Sequence, residues 1–256
     1  MRVTVCQWDS RPECLEAQLS LLIAHCTAQC SELLVLPEMP FDDWLPATRE
    51  VDAGRWSLSV DRHLQGLQRL AGLPGLQVFA SRPVVDAAGV RRNRSFCWSR
   101  AEGLGDLHDK AHLPQEDGYW EASWYQPGFP LLNVHSGNAC RVGTLICSEL
   151  WFFEHARRYG QQQAQLLCLS RATPLEGDDA WLAAGKTAAV VAGAYCLSSN
   201  QYRPPGVAPD MGGGGWIIDP DGSILALTSA REPFVTRDID LACADAAKAT
   251  YPRYLQ

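Results

Sequence analysis

The chain of 256 residues is 46% hydrophobic and 20% charged, the proportions of a globular protein with a substantial buried core. Its 22 basic and 29 acidic residues give a formal charge of -7 with no block of Lys and Arg, which argues against nucleic acid or a membrane surface as partner. The 10 cysteines are scattered, with no C-x-x-C pair and no secretion signal, so they read as reduced and mostly buried thiols rather than a disulfide framework or zinc ligands.

The first residues, Met1-Arg2-Val3-Thr4-Val5-Cys6-Gln7-Trp8, predict a strand rather than a signal peptide, because no apolar run with a small-residue cleavage site follows. No stretch approaches the roughly 20 apolar residues of a membrane helix, and a cytoplasmic location is expected. Apolar runs of strand length occur at 3–8, 33–36, 77–81, 95–98, 141–146, 166–169, 195–199 and 215–218. Between them, longer amphipathic segments predict helices over 14–29, 59–70, 149–159 and 179–193. Leu73-Pro74-Gly75, Asp86-Ala87-Ala88-Gly89 and Asp219-Pro220-Asp221-Gly222 supply turns. This alternation predicts an α/β fold with largely buried strands, and the absence of a linker-like segment predicts one domain over 1–256. Gly212 to Gly215 and Gly185-Lys186-Thr187 superficially suggest phosphate binding. The first lacks a following Lys and Ser or Thr, and the second has Ala180 where the P-loop needs glycine.

Three positions carry candidate chemistry. Cys147 ends the run Val142-Gly143-Thr144-Leu145-Ile146 and precedes a helical segment whose expected C-terminal cap is Gly160. At such a turn the helix dipole favours a thiolate and free N–H groups can hold an oxyanion, although a buried structural cysteine fits the same pattern. Glu38 ends Leu33-Leu34-Val35-Leu36-Pro37, at the strand end where open α/β sheets place their sites. Its apolar neighbours Pro37, Met39, Pro40 and Phe41 would raise its proton affinity towards that of a general base. Lys110 lies in a loop-like polar segment leading into an aromatic run, Gly118-Tyr119-Trp120-Glu121-Ala122-Ser123-Trp124-Tyr125, and crowding of aromatic with charged residues marks a concave site or an interface. His108 and His112 have the spacing of a helical metal pair but no evident third ligand, so no metal is expected.

These three segments, in this order, resemble the nitrilase-like carbon-nitrogen hydrolases. Leu36-Pro37-Glu38, Asp109-Lys110-Ala111-His112-Leu113 and Gly143-Thr144-Leu145-Ile146-Cys147 look like that family's glutamate, lysine and cysteine motifs. Asn93, Pro127-Gly128, Asn200-Gln201 and Ile218-Asp219-Pro220-Asp221-Gly222 are further marks, and Glu121 sits where members carry a second glutamate. The resemblance implies a four-layer α-β-β-α sandwich and a cofactor-free thiol hydrolase of a small molecule. In it Glu38 is the base, Cys147 the nucleophile, Lys110 with the Ser148 N–H the oxyanion stabiliser, and Glu121 the group that holds Lys110. It also implies a homo-oligomer.

Relatives that act on carboxylate-bearing amides carry arginine four residues after the cysteine, where this chain has Trp151. Tryptophan cannot grip a carboxylate, so neutral, aromatic or cationic substrates are expected. Ser148 directly after the cysteine, and a sequence ending at Gln256 without a longer extension, favour amide or carbamoyl over nitrile substrates. Trp44, Tyr119, Trp120, Trp124, Tyr125, Phe152 and Tyr202 are candidates to line the pocket, or alternatively to form a subunit contact. In place of the family's Arg-Ala and Glu-Asn pattern stands Ala188-Ala189-Val190-Val191-Ala192. An acyltransferase and an inactive scaffold are the competing readings.

Overall fold

A computed structural model of the chain describes residues 1–73, 75–129, 132–137 and 140–255, so Pro74 of the expected turn and the terminal Gln256 lie outside the described residues. Its strands are β1 (Arg2–Trp8), β2 (Leu33–Val35), β3 (Gln77–Val85), β4 (Arg91–Ser99), β5 (Gly103–Asp109), β6 (His135–Gly137), β7 (Cys140–Ile146), β8 (Leu166–Arg171), β9 (Tyr195–Gln201), β10 (Trp216–Ile218), β11 (Ile224–Leu227) and β12 (Phe234–Asp238). The α-helices are α1 (Pro12–Gln29), α2 (Ala53–Arg69), α3 (Glu121–Trp124), α4 (Phe153–Gln161), α5 (Asp178–Ala192) and α6 (Leu241–Ala247).

The strand order is β5-β4-β3-β2-β1-β9-β8-β7-β6, with β10 beside β9 and β12 beside β1. β1 is where the two halves meet. Its first residues pair in parallel with β2 (Val3 with Leu33), and its last pair in parallel with β9 (Gln7 with Asn200). β2 and β3 are parallel, as are β7, β8 and β9. β5 reverses twice through β4 and so runs in the same direction as β3. The ends of β2, β5, β7 and β8 therefore all release their next residues on one side of the sheet, the side on which such sheets place their sites.

The packing has four layers. Val3, Val5, Val35, Phe79, Val142, Cys168 and Leu197 interdigitate between the two halves of the sheet. Leu19, Leu22 and Leu67 of α1 and α2 cover the outer face of one half against Leu34, Val78 and Phe96. Tyr159, Ala188 and Ala189 of α4 and α5 cover the other against Leu145, Leu167 and Leu169. Strands buried on both faces read as unbroken apolar runs, which is why these segments stand out in the sequence. Helix α2 starts at Asp52, whose carboxylate caps it by accepting the Gly54 and Arg55 N–H groups at 2.7 and 3.0 Å.

Four strands (β5, β6, β11 and β12) and the helices α3 and α6 were not expected from the sequence. Each is short or at least partly exposed, so it lacks a strong period. Lys110 thus follows a strand rather than lying in a long loop, and His108 points into the interior from β5. The helix expected over 149–159 is two pieces, a 3-10 turn at Cys147–Trp151 and then α4, broken at Phe152. Gly160 is not its cap. It lies inside α4, where a Cβ would come within 2.7 Å of the Ala192 carbonyl oxygen, so glycine there permits close contact with the end of α5. Gly143 on β7 has the same use: a Cβ would lie 2.5 Å from the Tyr159 ring.

Candidate active site

Cys147 is the first residue beyond β7, and its φ of +47 places a non-glycine residue in the left-handed region, a strained setting of the kind found at functional turns. The register of β7 with β8, Ile146 opposite Ser170, sets it beside the end of β8, and its Sγ lies 3.8 Å from the Ala172 carbonyl oxygen. It is only 4% exposed. Burial pushes its thiol up, and the Glu38 charge adds to this, so the resting sulfur carries its proton. This corrects the expectation of a helix-stabilised thiolate. The cysteine opens a 3-10 turn of five residues rather than a long helix, and burial of the sulfur is the largest influence on its proton.

Glu38 is released just after β2. Its N–H donates to the Arg171 carbonyl oxygen at 3.3 Å, and its own carbonyl oxygen accepts the Gln201 side-chain N–H at 2.8 Å. Oε1 accepts from Asn93 Nδ2 at 2.6 Å and from Lys110 Nζ at 2.8 Å. Oε2 is buried and has no hydrogen-bond partner among the described residues. Burial raises the proton affinity of this carboxylate, against the pull of Lys110.

Lys110 is fully buried and follows β5, its N–H donating to the Asn93 carbonyl oxygen at 2.8 Å. Its ammonium donates to Glu38 Oε1 at 2.8 Å and to Glu121 Oε1 and Oε2 at 2.8 and 2.7 Å, which occupies all three of its protons. Burial alone would lower its proton affinity, but Glu121 and then Glu38 outweigh that and hold it charged. Glu121 opens α3 and also accepts the Tyr125 hydroxyl on Oε2 at 2.8 Å. Burial raises its proton affinity too, with Lys110 opposing. Two carboxylates, one ammonium and one thiol thus share a nearly dry volume, and the protons belong to the group as a whole.

The four polar residues singled out in the sequence therefore come together, although they are contributed by separate elements. The aromatic candidates divide. Trp151 is 43% exposed and leans on Trp181 with ring centroids 4.8 Å apart. Tyr119 donates its hydroxyl to the Asp210 carbonyl oxygen at 2.5 Å and lines a cleft of about 490 Å³ with Thr48, Asp117, Gly118, Pro209 and Asp210. Burial raises the proton affinity of its phenol, so the hydroxyl keeps its proton. Trp44 is buried and donates its indole N–H to the Gly118 carbonyl oxygen at 3.0 Å. Trp124 and Tyr125, also candidates to line a pocket or a subunit contact, face the interior. Both are buried with Met39, Trp44, Trp56 and Met211; the Trp124 indole bonds the Thr48 carbonyl oxygen at 2.6 Å, and Tyr125 is spent on Glu121. Trp120 is half-buried under the Arg49 guanidinium at 4.1 Å. The Ser148 hydroxyl donates to the His112 carbonyl oxygen at 2.5 Å, while Phe152 stacks on the His112 ring at 3.4 Å. Tyr202 is half-buried, its N–H donating to the Trp8 carbonyl oxygen at 2.8 Å.

His108 and His112 engage different partners. His108 Nε2 lies 2.8 Å from Oε2 of Glu149, a fully buried carboxylate that sequence reasoning passed over. Its only local signal was its place two residues after Cys147. Arg171 was also passed over. It is wholly buried, donates to Ser198 Oγ and Thr173 Oγ1, and lies over the Trp216 ring at 3.9 Å. Desolvation lowers its proton affinity to about 10.

Comparison with known proteins gives this geometry a family. The carbon-nitrogen hydrolase model matches residues 2–249. Nitrilase homolog 2 of Dictyostelium discoideum is 26% identical over 186 residues, 70% of this chain and 56% of that protein. The N-carbamoylputrescine amidase of Solanum tuberosum is 33% identical over 73 residues, covering 28% of this chain and 24% of its own. The matched stretches thus span about half or less of these curated relatives. Among solved structures, a carbon-nitrogen hydrolase from Helicobacter pylori G27 superposes with a TM-score of 0.86 at 19% identity, over 100% of this chain and 94% of the other. An amidase from Nesterenkonia sp. does so with 0.76, also at 19% identity, over 100% and 95%. The fold is that of the nitrilase-like structures, and the chain belongs to the carbon-nitrogen hydrolase family.

Proposed function

We propose that this protein is a thiol amidohydrolase that cleaves the carbon–nitrogen bond of a small neutral, aromatic or cationic amide or carbamoyl compound through a thioester on Cys147. The observation that carries the reading is the buried ammonium of Lys110 held between Glu38 and Glu121, with Glu38, whose Oε2 has no other partner among the described residues, beside the Cys147 thiol. The raised proton affinity of the thiol makes a base obligatory, and a desolvated carboxylate matches it better than an exposed one. Glu38 takes the thiol proton as sulfur attacks the carbonyl carbon. The oxyanion is met by Lys110 and the Ser148 backbone N–H, a contribution of several kcal/mol when preorganised. Because every proton of Lys110 is already engaged, its ammonium must release one Glu121 oxygen to reach the oxyanion. The Tyr125 hydroxyl remains to hold Glu121. Collapse expels the amine with the proton from Glu38. Water, deprotonated by the same carboxylate, then opens the thioester, and Glu38 returns the proton to sulfur.

For substrate class the support is Trp151 and the cleft. Asp117 and Asp210 stand on the cleft rim, which favours a cationic group over a carboxylate, and the exposed indole suits an apolar or cationic one. The carbamoyl-polyamine relatives fall within this class by name. The test is intact-protein mass spectrometry with a panel of neutral, cationic and anionic amides, alongside ammonia release. The expected result is an acyl adduct that Cys147→Ala abolishes. Absence of both adduct and ammonia across amides and carbamoyl compounds would refute the proposal.

A further inference from the structure

We propose that His108, through its buried contact with Glu149, is a positioning residue that sets Lys110 against Cys147 and makes this alignment sensitive to pH. It rests on the amidohydrolase reading for its consequence in turnover. β5 and β7 lie in opposite halves of the sheet and are not paired, so no ladder fixes the distance between the residues they release. Glu149 makes the link. Its Oε1 accepts the Ala111 N–H at 2.9 Å, next to Lys110, and its Oε2 accepts the Ile146 N–H at 2.8 Å, next to Cys147. The same Oε2 faces His108 Nε2 at 2.8 Å. His108 precedes Lys110 by two residues on an extended segment, so the two side chains share a face. The other ring nitrogen, Nδ1, lies 3.3 Å from Thr144 Oγ1 on β7, which leaves the imidazole little freedom.

The groups around His108 come from several elements. Glu149 faces it from the 3-10 turn, Asp109 acts from its own strand, and His155 on α4, whose proton affinity burial lowers, lies near enough to feel the His108 charge. Tyr159, also on α4, holds the Thr144 carbonyl oxygen at 2.9 Å. Burial alone would lower the proton affinity of His108, but Glu149 and then Asp109 reverse this and raise it. For Glu149 burial acts upward, yet His108 and the two N–H groups win and hold it at about 2. An imidazolium whose folded pKa is raised keeps its contribution below its unfolded pKa and loses it as pH rises through the folded one. The clamp is therefore tight below the ordinary histidine range and slackens as pH rises through the raised value.

Two variants separate the roles. His108→Phe removes the donor; His108→Gln keeps an N–H for Glu149 without a titrating group. Readouts are the rate of Cys147 alkylation by iodoacetamide across a pH series, monitored by intact mass, and kcat and KM on the best amide of the panel. His108→Phe is expected to lower kcat by about 10- to 100-fold with KM little changed, the scale of a catalytic group shifted by a fraction of an ångström to 1 Å. His108→Gln is expected to restore most of the rate and to lose an alkaline fall that the wild type shows. If His108→Phe does not fold, the wild type and His108→Gln still decide the matter, since identical pH profiles would overturn the proposal. Alkylation that depends on His108 in a protein that hydrolyses no amide would retire the amidohydrolase reading and keep the clamp. Turnover indifferent to His108 would do the reverse.

Discussion

Replacing Lys110 by Met tests the buried charge arrangement through stability, with a magnitude set by the geometry. In the native protein one ammonium faces two carboxylates, all three fully or almost fully buried. Without it neither Glu38 nor Glu121 has a cation within hydrogen-bond reach, so both must be protonated to stay folded, whereas one negative charge is balanced when Lys110 is present. Forcing one extra carboxyl group of unfolded pKa about 4.3 to hold its proton costs about 3.7 kcal/mol at pH 7, falling to about 1 kcal/mol at pH 5. The sign is that of a raised carboxyl pKa. The contribution is intact below the unfolded pKa and is lost as pH rises towards the folded one, so the variant is penalised most on the neutral and alkaline side. Urea unfolding of wild type and Lys110→Met at pH 5 and pH 7 measures both differences. A destabilisation of the same size at the two pH values would refute the reasoning, because it would place the cost in lost packing rather than in uncompensated charge.

Single contacts give further expected outcomes. Gly143→Ala puts a methyl group 2.5 Å from the Tyr159 ring and is expected to cost about 1–3 kcal/mol in urea unfolding, because α4 must move off the sheet. Activity should show an acid limb above the ordinary carboxylate range, rising as Glu38 and Glu121 ionise through their raised proton affinities; a limb near pH 4 in kcat would contradict the burial assigned to them. Trp151→Arg should shift kcat/KM towards anionic amides by about tenfold, the worth of one charge-assisted hydrogen bond. The idea fails if the unmodified protein already prefers anionic amides.

Much of the site is legible in the sequence, for a physical reason. Parallel strands buried on both faces are written as apolar runs, and the residue just beyond each run is presented at one rim of the sheet. Glu38 and Cys147 announce themselves in that way. Lys110 and Glu121 needed the family resemblance, because β5, whose end carries Lys110, is glycine-rich and half-exposed and has no apolar period to mark it. Three matters were decided only by the tertiary structure. The protonation of the Cys147 thiol depends on how much water surrounds it and on a carboxylate brought from another strand, and local sequence carried the opposite sign through the helix dipole. The aromatic residues look alike in sequence, yet Trp124 is sealed in a cluster while Trp151 stands exposed, because exposure is a property of what packs on a side chain. The pairing of His108 with Glu149 joins positions 41 apart. No periodicity or motif encodes a contact across two halves of a sheet; it exists only once β1 has brought those halves together.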